Sequence, residues 1–262
     1  MVDFESKAFY NVYDLKELIR LLRTENGCPW DREQTHESIR RNFIEETYEA
    51  CEAIDEKDTE HLKEELGDVL MQVIFHSAIE EEQGSFTLDD VADNACKKLI
   101  FRHPHVFGDV SVKNSAEVLV NWDAIKMKEK KQLSAADTLD SVARSLPALW
   151  RAEKIQKKAS KVGFDWSDIS GALDKIEEEL RELRKAIATG NGIEEELGDL
   201  LFSSVNAARF VKVDPEDALN RSSDKFISRF RALEDAAEKR GGLKNLSLEE
   251  MDKLYSEVKN AL

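Results

Sequence analysis

The chain has 262 residues, 41% hydrophobic and 35% charged, with only 4 Pro and 11 Gly; this excludes a disordered chain and provides for one large or two ordinary domains with real cores. Its formal charge of -16 repels phosphate backbones and anionic lipid, so neither nucleic acid nor a membrane is an expected partner. The three cysteines, Cys28, Cys51 and Cys96, form no CxxC pair, which excludes a zinc knuckle or a disulfide framework and reads as reduced thiols in a cytoplasmic protein.

Met1 to Glu5 carry no basic and apolar leader, and no apolar run approaches the length of a membrane span; a soluble cytosolic product is expected. A helix-like segment from Tyr13 to Arg23 breaks at Gly27-Cys28-Pro29. Two acidic helices follow. The first carries Glu45-Glu46-Thr47-Tyr48-Glu49 with a weak apolar stripe at Phe43, Thr47, Ala50 and Ile54, and the second carries Glu65-Leu66-Gly67-Asp68. A fourth helix bears Lys98 and Arg102. His103-Pro104-His105 lacks any companion metal motif and reads as structural.

The charged stretch Lys126 to Ser134 separates the halves, giving an N-terminal domain over 1–136, linker included, and a C-terminal domain over 137–262. The second half then repeats the first. A helix-like segment from Ala148 to Lys161 breaks at Val162-Gly163; Glu178-Glu179-Leu180-Arg181-Glu182 and Glu196-Leu197-Gly198-Asp199 restate the acidic pair; Lys225 and Arg229 restate the basic one. The offsets drift slowly, from 134 at Trp30/Phe164 through 133 at Glu45/Glu178 and 131 at Glu65/Glu196 to 127 at Lys98/Lys225. A duplicated domain with a few loop deletions produces such a series.

Ile176, Leu180, Leu183 and Ile187 recur at helical spacing, and Glu178, Glu179 and Glu182 fall on the opposite side at about 100° per residue. Each acidic helix is therefore expected to be apolar on one face and acidic on the other. Strand signals are sparse, so the fold is expected to be all-α, built from helical bundles. Gly67 and Gly198 sit inside helical stretches where Gly costs about 1 kcal/mol relative to Ala, which suggests close approach of a helix or ligand, although packing alone also explains it.

An isolated ExxE is usually a solvated helix face. Two ordered pairs, with 15 residues between Glu49 and Glu65 and 13 between Glu182 and Glu196, point instead to gathered carboxylates. Two carboxylates 4 Å apart repel by roughly 4 kcal/mol at an effective dielectric of 20, so convergence calls for cations. Oxygen ligands suit Mg²⁺, with Mn²⁺ as a substitute, and Mg²⁺ commonly keeps water and phosphate oxygens in its shell. Lys98 with Arg102 and Lys225 with Arg229 each share a helix face and can clamp phosphates. Lys175, one turn before Glu178, adds a cation that Asn42 does not supply in the first half. Trp30, Trp166 and Tyr255 either stack on a base or belong to the core.

The EExxE, spacer, ELGD pattern, with Gly163-Phe164-Asp165-Trp166 before it and Lys225-Phe226 to Arg229-Phe230 after it, resembles the MazG family of nucleoside triphosphate pyrophosphohydrolases in its two-domain form. Asn26 to Asp31 and Arg102 to Phe107 look like that family's first domain, and the resemblance spans essentially the whole chain. It implies two tandem all-α bundles completed by homodimerisation, and Mg²⁺-dependent hydrolysis of NTPs and dNTPs to the monophosphate and pyrophosphate. It makes Glu178, Glu179, Glu182, Glu196 and Asp199 the metal-binding catalytic set, and Lys175, Lys225 and Arg229 the triphosphate ligands. Glu45, Glu46, Glu49, Glu65 and Asp68 with Lys98 and Arg102 form a second such set. Tyr255 stands where a close relative has tryptophan, and Asn42 where the second half has Lys175, so most turnover is assigned to the C-terminal domain while two active sites stay open.

The implied chemistry is attack of a metal-activated water on the α-phosphorus, with Glu179 or Glu182 orienting it. Two other readings stand beside this one: a base-selective dUTPase- or dCTPase-like house-cleaning hydrolase, and a non-catalytic acidic helical scaffold.

Overall fold

The computed structural model describes residues 4–112, 114, 117–118, 121–122, 125, 134–238 and 240–261. Its regular structure is helical, with no strand among the described residues. The chain divides into two compact units, Met1–Ile125 and Lys126–Leu262; Lys126 to Leu133 of the expected linker lie outside the described residues. Among the described residues no helix is long and apolar enough to cross a membrane.

The first unit runs α1 (Val12–Leu22), α2 (Pro29–Glu33), α3 (His36–Glu56), α4 (Thr59–Glu82), α5 (Leu88–Arg102) and α6 (Pro104–Phe107). Side-chain caps fix where the long helices begin: Asn11, Thr35, Asp58 and Thr87 accept from first-turn N–H groups of α1, α3, α4 and α5, donors that a helix cannot satisfy internally. Gly27 admits no side chain, because a Cβ there would stand 2.3 Å from the carbonyl oxygens of Leu21 and Leu22. Lys57 closes α3 in the left-handed region at φ 60°, and Asp58 opens α4 at once, so the two acidic helices fold back as a hairpin. Ile19 of α1, Ile39 of α3 and Ile74, Phe75, Ala78 and Ile79 of α4 form the buried core, with Leu15, Met71 and Leu88 packed against it.

The second unit runs α7 (Ala135–Asp140), α8 (Ala148–Ser160), α9 (Ile169–Thr189), α10 (Ile193–Phe210), α11 (Pro215–Glu238), a 3₁₀ turn at Leu243–Asn245 and α12 (Leu248–Ala261). Gly190 and Gly192, at φ 72° and 76°, make the tight reversal between α9 and α10, a conformation in which a side chain is strained.

The faces of the acidic helices differ from expectation. Leu180 and Ile187 of the expected inward stripe are 40% and 59% exposed, whereas Ala172, Glu179 and Ala186 are buried. These three are seven residues apart, a seam that keeps returning to the same side of a helix, and α9 packs mainly on α10. The first unit repeats the register, with Ile39 and Ala53 buried and Glu46 half-buried between them on α3. The buried carboxylates therefore lie between the helices of each hairpin, flanked by small or aliphatic groups, while Leu180 and Ile187 of the α9 stripe are exposed. Gly67 and Gly198 have nothing within 4 Å of an added Cβ, so no group of the chain itself requires them to be small.

At the far end of the α3–α4 hairpin, His36 Nδ1 lies 2.7 Å from His76 Nδ1 and His36 Nε2 lies 2.7 Å from Glu80 Oε1. Only one proton fits between the two Nδ1 atoms. Burial, then the charge of His36, lowers the His76 pKa, and the hydrogen bond from His36 lowers that of Glu80. Both groups contribute stability above their unfolded pKa values, lost as pH falls: His76 from about 6.5 downward, Glu80 from about 4.3 downward. Glu46, pushed up by its surroundings, acts in the opposite direction. Thermal unfolding followed between pH 7 and 5 is therefore expected to show a shallower loss of Tm on acidification in His76→Leu than in the parent chain; parallel curves would remove the pair from the pH response.

Candidate active site

Each hairpin gathers three carboxylates. Oxygens of Glu46 and Glu49 on α3 and of Glu65 on α4 lie within 4.8 Å of one another, as do those of Glu179 on α9 with Glu196 and Asp199 on α10. The fourth acids act on these trios through their charge. Burial, followed by Asp68, Glu49 and Glu65, holds the Glu46 carboxyl above the usual carboxylate range. Desolvation, followed by Glu182, Glu179, Glu195 and Asp199, does the same to Glu196.

One member of each trio is deeply buried: Glu65 is 8% and Glu179 4% exposed. In both, one oxygen meets a basic side chain of the same helix and the other meets nothing. His61 Nε2 lies 3.2 Å from Glu65 Oε1, and Lys175 Nζ lies 2.6 Å from Glu179 Oε1, which, with Glu178, raises the Lys175 pKa. Oε2 of Glu65 and Oε2 of Glu179 are buried without a hydrogen-bond partner. A buried carboxylate oxygen left bare costs several kcal/mol or drives protonation, so each cluster offers a defined oxygen to a proton or a cation. The donors are all carboxylate oxygens, which suits a hard divalent ion such as Mg²⁺ or Mn²⁺.

The remaining acids are peripheral to the trios. Glu178 is exposed and pairs with Lys175 at 3.0 Å, and Glu45 is exposed and pairs with Arg41 at 2.8 Å. Lys225 and Arg229 stand one turn apart on α11, and Lys98 and Arg102 at the end of α5; among the described residues no ion pair joins Lys98, Lys225 or Arg229 to a trio. Tyr255 on α12 faces Phe226, the neighbour of Lys225, with ring centroids 6.0 Å apart. Trp166 packs on Gly171 in the first turn of α9, where an added Cβ would come within 2.9 Å of the indole.

The model of the MazG nucleotide pyrophosphohydrolase domain matches the chain twice, over residues 34–107 and 169–233. Nucleoside triphosphate pyrophosphohydrolase/pyrophosphatase MazG of Thermotoga maritima is 47% identical over 247 residues, covering 94% of each chain. The chain belongs to the MazG family. The nucleoside triphosphate pyrophosphohydrolase of Escherichia coli K12 is 44% identical over 245 residues, 92% of this chain and 93% of that one. The uncharacterised protein YabN of Bacillus subtilis is 48% identical over 260 residues, 97% of this chain but 53% of that protein. This MazG chain is accordingly an enzyme, a hydrolase with two tandem all-α domains. The matched segments hold both carboxylate trios and both Lys/Arg pairs; Trp166 and Tyr255 fall outside them.

Two features of this MazG chain escape a reading of motifs. His61 stands at i−4 from Glu65, where a pattern built on the second half finds only Gly192. The spacing Ala172, Glu179, Ala186 carries the seam, and its small residues conceal it from a search for large apolar side chains.

Proposed function

We propose that the chain hydrolyses nucleoside and deoxynucleoside triphosphates to the monophosphate and pyrophosphate, with Mg²⁺ held by the carboxylate trios and Mn²⁺ able to replace it. The observation that carries this is the bare, buried Oε2 of Glu179 inside a cluster of carboxylate oxygens within 4.8 Å of one another. The names of the relatives from Thermotoga maritima and Escherichia coli support the substrate class. When bound, Mg²⁺ supplies charge neutralisation and a lowered water pKa.

The chain's own residues divide the remaining work. Glu179, Glu196 and Asp199 hold the cation, and Glu65, Glu46 and Glu49 do so in the first unit. Lys175 keeps Glu179 oriented and brings positive charge to the phosphates. Glu182 lies outside the trio yet near enough to act on Glu196, which suits it to accept a proton from the attacking water. Lys225 and Arg229 supply further positive charge to the polyphosphate, and Lys98 with Arg102 does so for the first unit.

Two copies of the chain complete the bundle in this reading. Its support is the outward stripe on the second unit's hairpin, Leu173, Leu180 and Ile187 on α9 and Ile193, Leu197 and Leu201 on α10, all at least 40% exposed. A contiguous apolar surface of that kind marks an association face.

The test is product analysis. With Mg²⁺, a panel of NTPs and dNTPs is expected to yield monophosphate and pyrophosphate; after EDTA treatment neither forms, and added Mg²⁺ or Mn²⁺ restores both. Release of orthophosphate as the only product rejects the proposal.

A further inference from the structure

The far end of the α3–α4 hairpin holds a pair of ring nitrogens that the carboxylate trios do not explain. His36 Nδ1 and His76 Nδ1 stand 2.7 Å apart, and the two rings are nearly parallel, at an interplanar angle of 9°. On its other side His36 presents Nε2 to Glu80 Oε1 at 2.7 Å. An ionised carboxylate only accepts, so Nε2 carries the proton of a neutral His36 and its Nδ1 keeps a lone pair. That lone pair faces the nitrogen of His76. Phe43 braces the second ring, with centroids 5.5 Å apart, and burial, then the charge of His36, lowers the His76 pKa, which leaves this ring neutral near pH 7. Among the described residues no hydrogen bond engages His76 Nε2, so its one proton is free to sit on either nitrogen.

The setting is separate from the trio of the same hairpin. At 1.5 Å per residue, Glu46 lies about 15 Å along α3 from His36 and Glu65 about 16 Å along α4 from His76. Both rings line a cavity of about 540 Å³ whose apolar walls include Phe43, Val73, Phe86 and Val91. Arg40 borders it too, but is exposed and can turn its charge to water. The neighbouring Ser77 hydroxyl is spent on the Val73 carbonyl at 2.8 Å, so the cavity supplies water and no further ligand. The second unit has nothing comparable. At the offsets of the repeat, His36 and Arg40 become Ile169 and Leu173, and His76, Ser77 and Glu80 become Ala207, Ala208 and Val211. The duplicated hairpin folds with apolar groups at all five positions, so packing alone does not call for the polar set.

We infer that His36 Nδ1 and His76 Nδ1 together hold a divalent transition-metal ion, Cu²⁺, Ni²⁺ or Zn²⁺, with Glu80 orienting His36 from behind and water from the cavity completing the shell. Imidazole nitrogen suits these three ions, whereas Mg²⁺ prefers oxygen. Nitrogen ligands sit about 2.0–2.1 Å from such an ion, so two of them in adjacent positions of a tetragonal site are about 2.9 Å apart, a small opening from the present spacing. The ion takes the place of the shared proton, which passes to His76 Nε2; both rings stay neutral and no redox step is involved. A ligating histidine whose other ring N–H is given to a carboxylate is the usual arrangement. The site clips α3 to α4 and does not rest on the hydrolytic reading.

The probe is Cu²⁺, which binds nitrogen sites most tightly of the three, titrated into the full chain in a large excess of Mg²⁺ to fill the carboxylate trios. One equivalent is expected to bind with an electron paramagnetic resonance spectrum that shows coupling to two nitrogens. Glu80→Gln, which keeps the side-chain volume, is expected to weaken binding about 10- to 100-fold. His36→Gln and His76→Gln are expected to weaken it further and to remove the two-nitrogen pattern. His61→Gln, and His103→Gln with His105→Gln, change the other three histidines of the chain and are expected to retain it. Ni²⁺ is expected to raise the Tm of the parent chain, since it binds the folded state, and to leave that of His76→Gln unmoved. Absence of nitrogen-bound Cu²⁺ in the parent, survival of the two-nitrogen pattern in either ring variant, or its loss in His61→Gln or the His103 and His105 variant overturns the assignment. Unchanged affinity in Glu80→Gln overturns it too, whether or not the ring variants fold. None of these readouts uses turnover, so they decide the site even for a chain that leaves every triphosphate intact.

Discussion

Replacing Glu179 and Glu182 together by glutamine is expected to lower triphosphate turnover at least about a hundredfold, the scale of losing one key charge-stabilising group, whereas Glu46→Gln with Glu49→Gln retains more than half of it. Both variants preserve side-chain volume, so far-ultraviolet circular dichroism should match the parent chain. The asymmetry has a structural source. In the second unit the buried carboxylate is oriented by Lys175, a fixed cation pointing at the cluster. In the first unit Asn42 occupies that place, and the basic group nearest the buried Glu65 is the His61 imidazole, not an ammonium. Equal losses in the two double variants would assign turnover to both units, and loss only in the Glu46 and Glu49 variant would reverse the assignment.

The doubling of the acidic sequence was legible because carboxylate spacing survives as sequence whatever packs around it; Glu46, Glu49 and Glu65 converge, and so do Glu179, Glu196 and Asp199, but the two trios draw on different members of the repeated set. The helical class was equally legible, since no stretch alternates as a strand does. What the helices bury was not. Periodicity identifies Leu180 and Ile187 as a stripe, but a stripe has no label saying whether it faces the same chain or another one. Burial in the hairpin falls to Ala172 and Ala186, small side chains that let α9 approach α10 and give a hydropathy signal too weak to compete with leucine. The cavity lined by Gln156, Phe164, Trp166, Phe202 and Asn206 in the second unit was invisible for another reason. Gln156, Asn206 and Arg209 belong to no motif, and only the folding of α8 against α10 brings the orphan amide to an aromatic wall.

If two copies complete the bundle as proposed, Leu180→Glu combined with Leu197→Glu is expected to leave a monomer of 29.9 kDa, read by light scattering, and to abolish most turnover. Fully burying one leucine is worth about 1.5–3 kcal/mol, of which less than half is left for Leu180 and Leu197; a two-fold interface counts each substitution twice, so two changes per chain remove about 2.5–5.5 kcal/mol before any cost of burying charge. Each 1.4 kcal/mol is about a tenfold change in Kd, so lost burial alone weakens the pair by about 10²- to 10⁴-fold, and the introduced charges add to that. The isolated chain tolerates these changes, because Leu180 and Leu197 are 40% and 46% exposed within it. Gly198 lies beside this face with open space at its missing Cβ, as close approach by a second copy requires. Turnover falls with the dimer because the stripes flank the seam that carries Glu179, Glu196 and Asp199, so water gains access to that cluster once the face is bare. A variant that stays at twice the chain mass, or a parent chain that is already monomeric and fully active, would leave the hairpins as self-sufficient sites and would require another role for the exposed leucines.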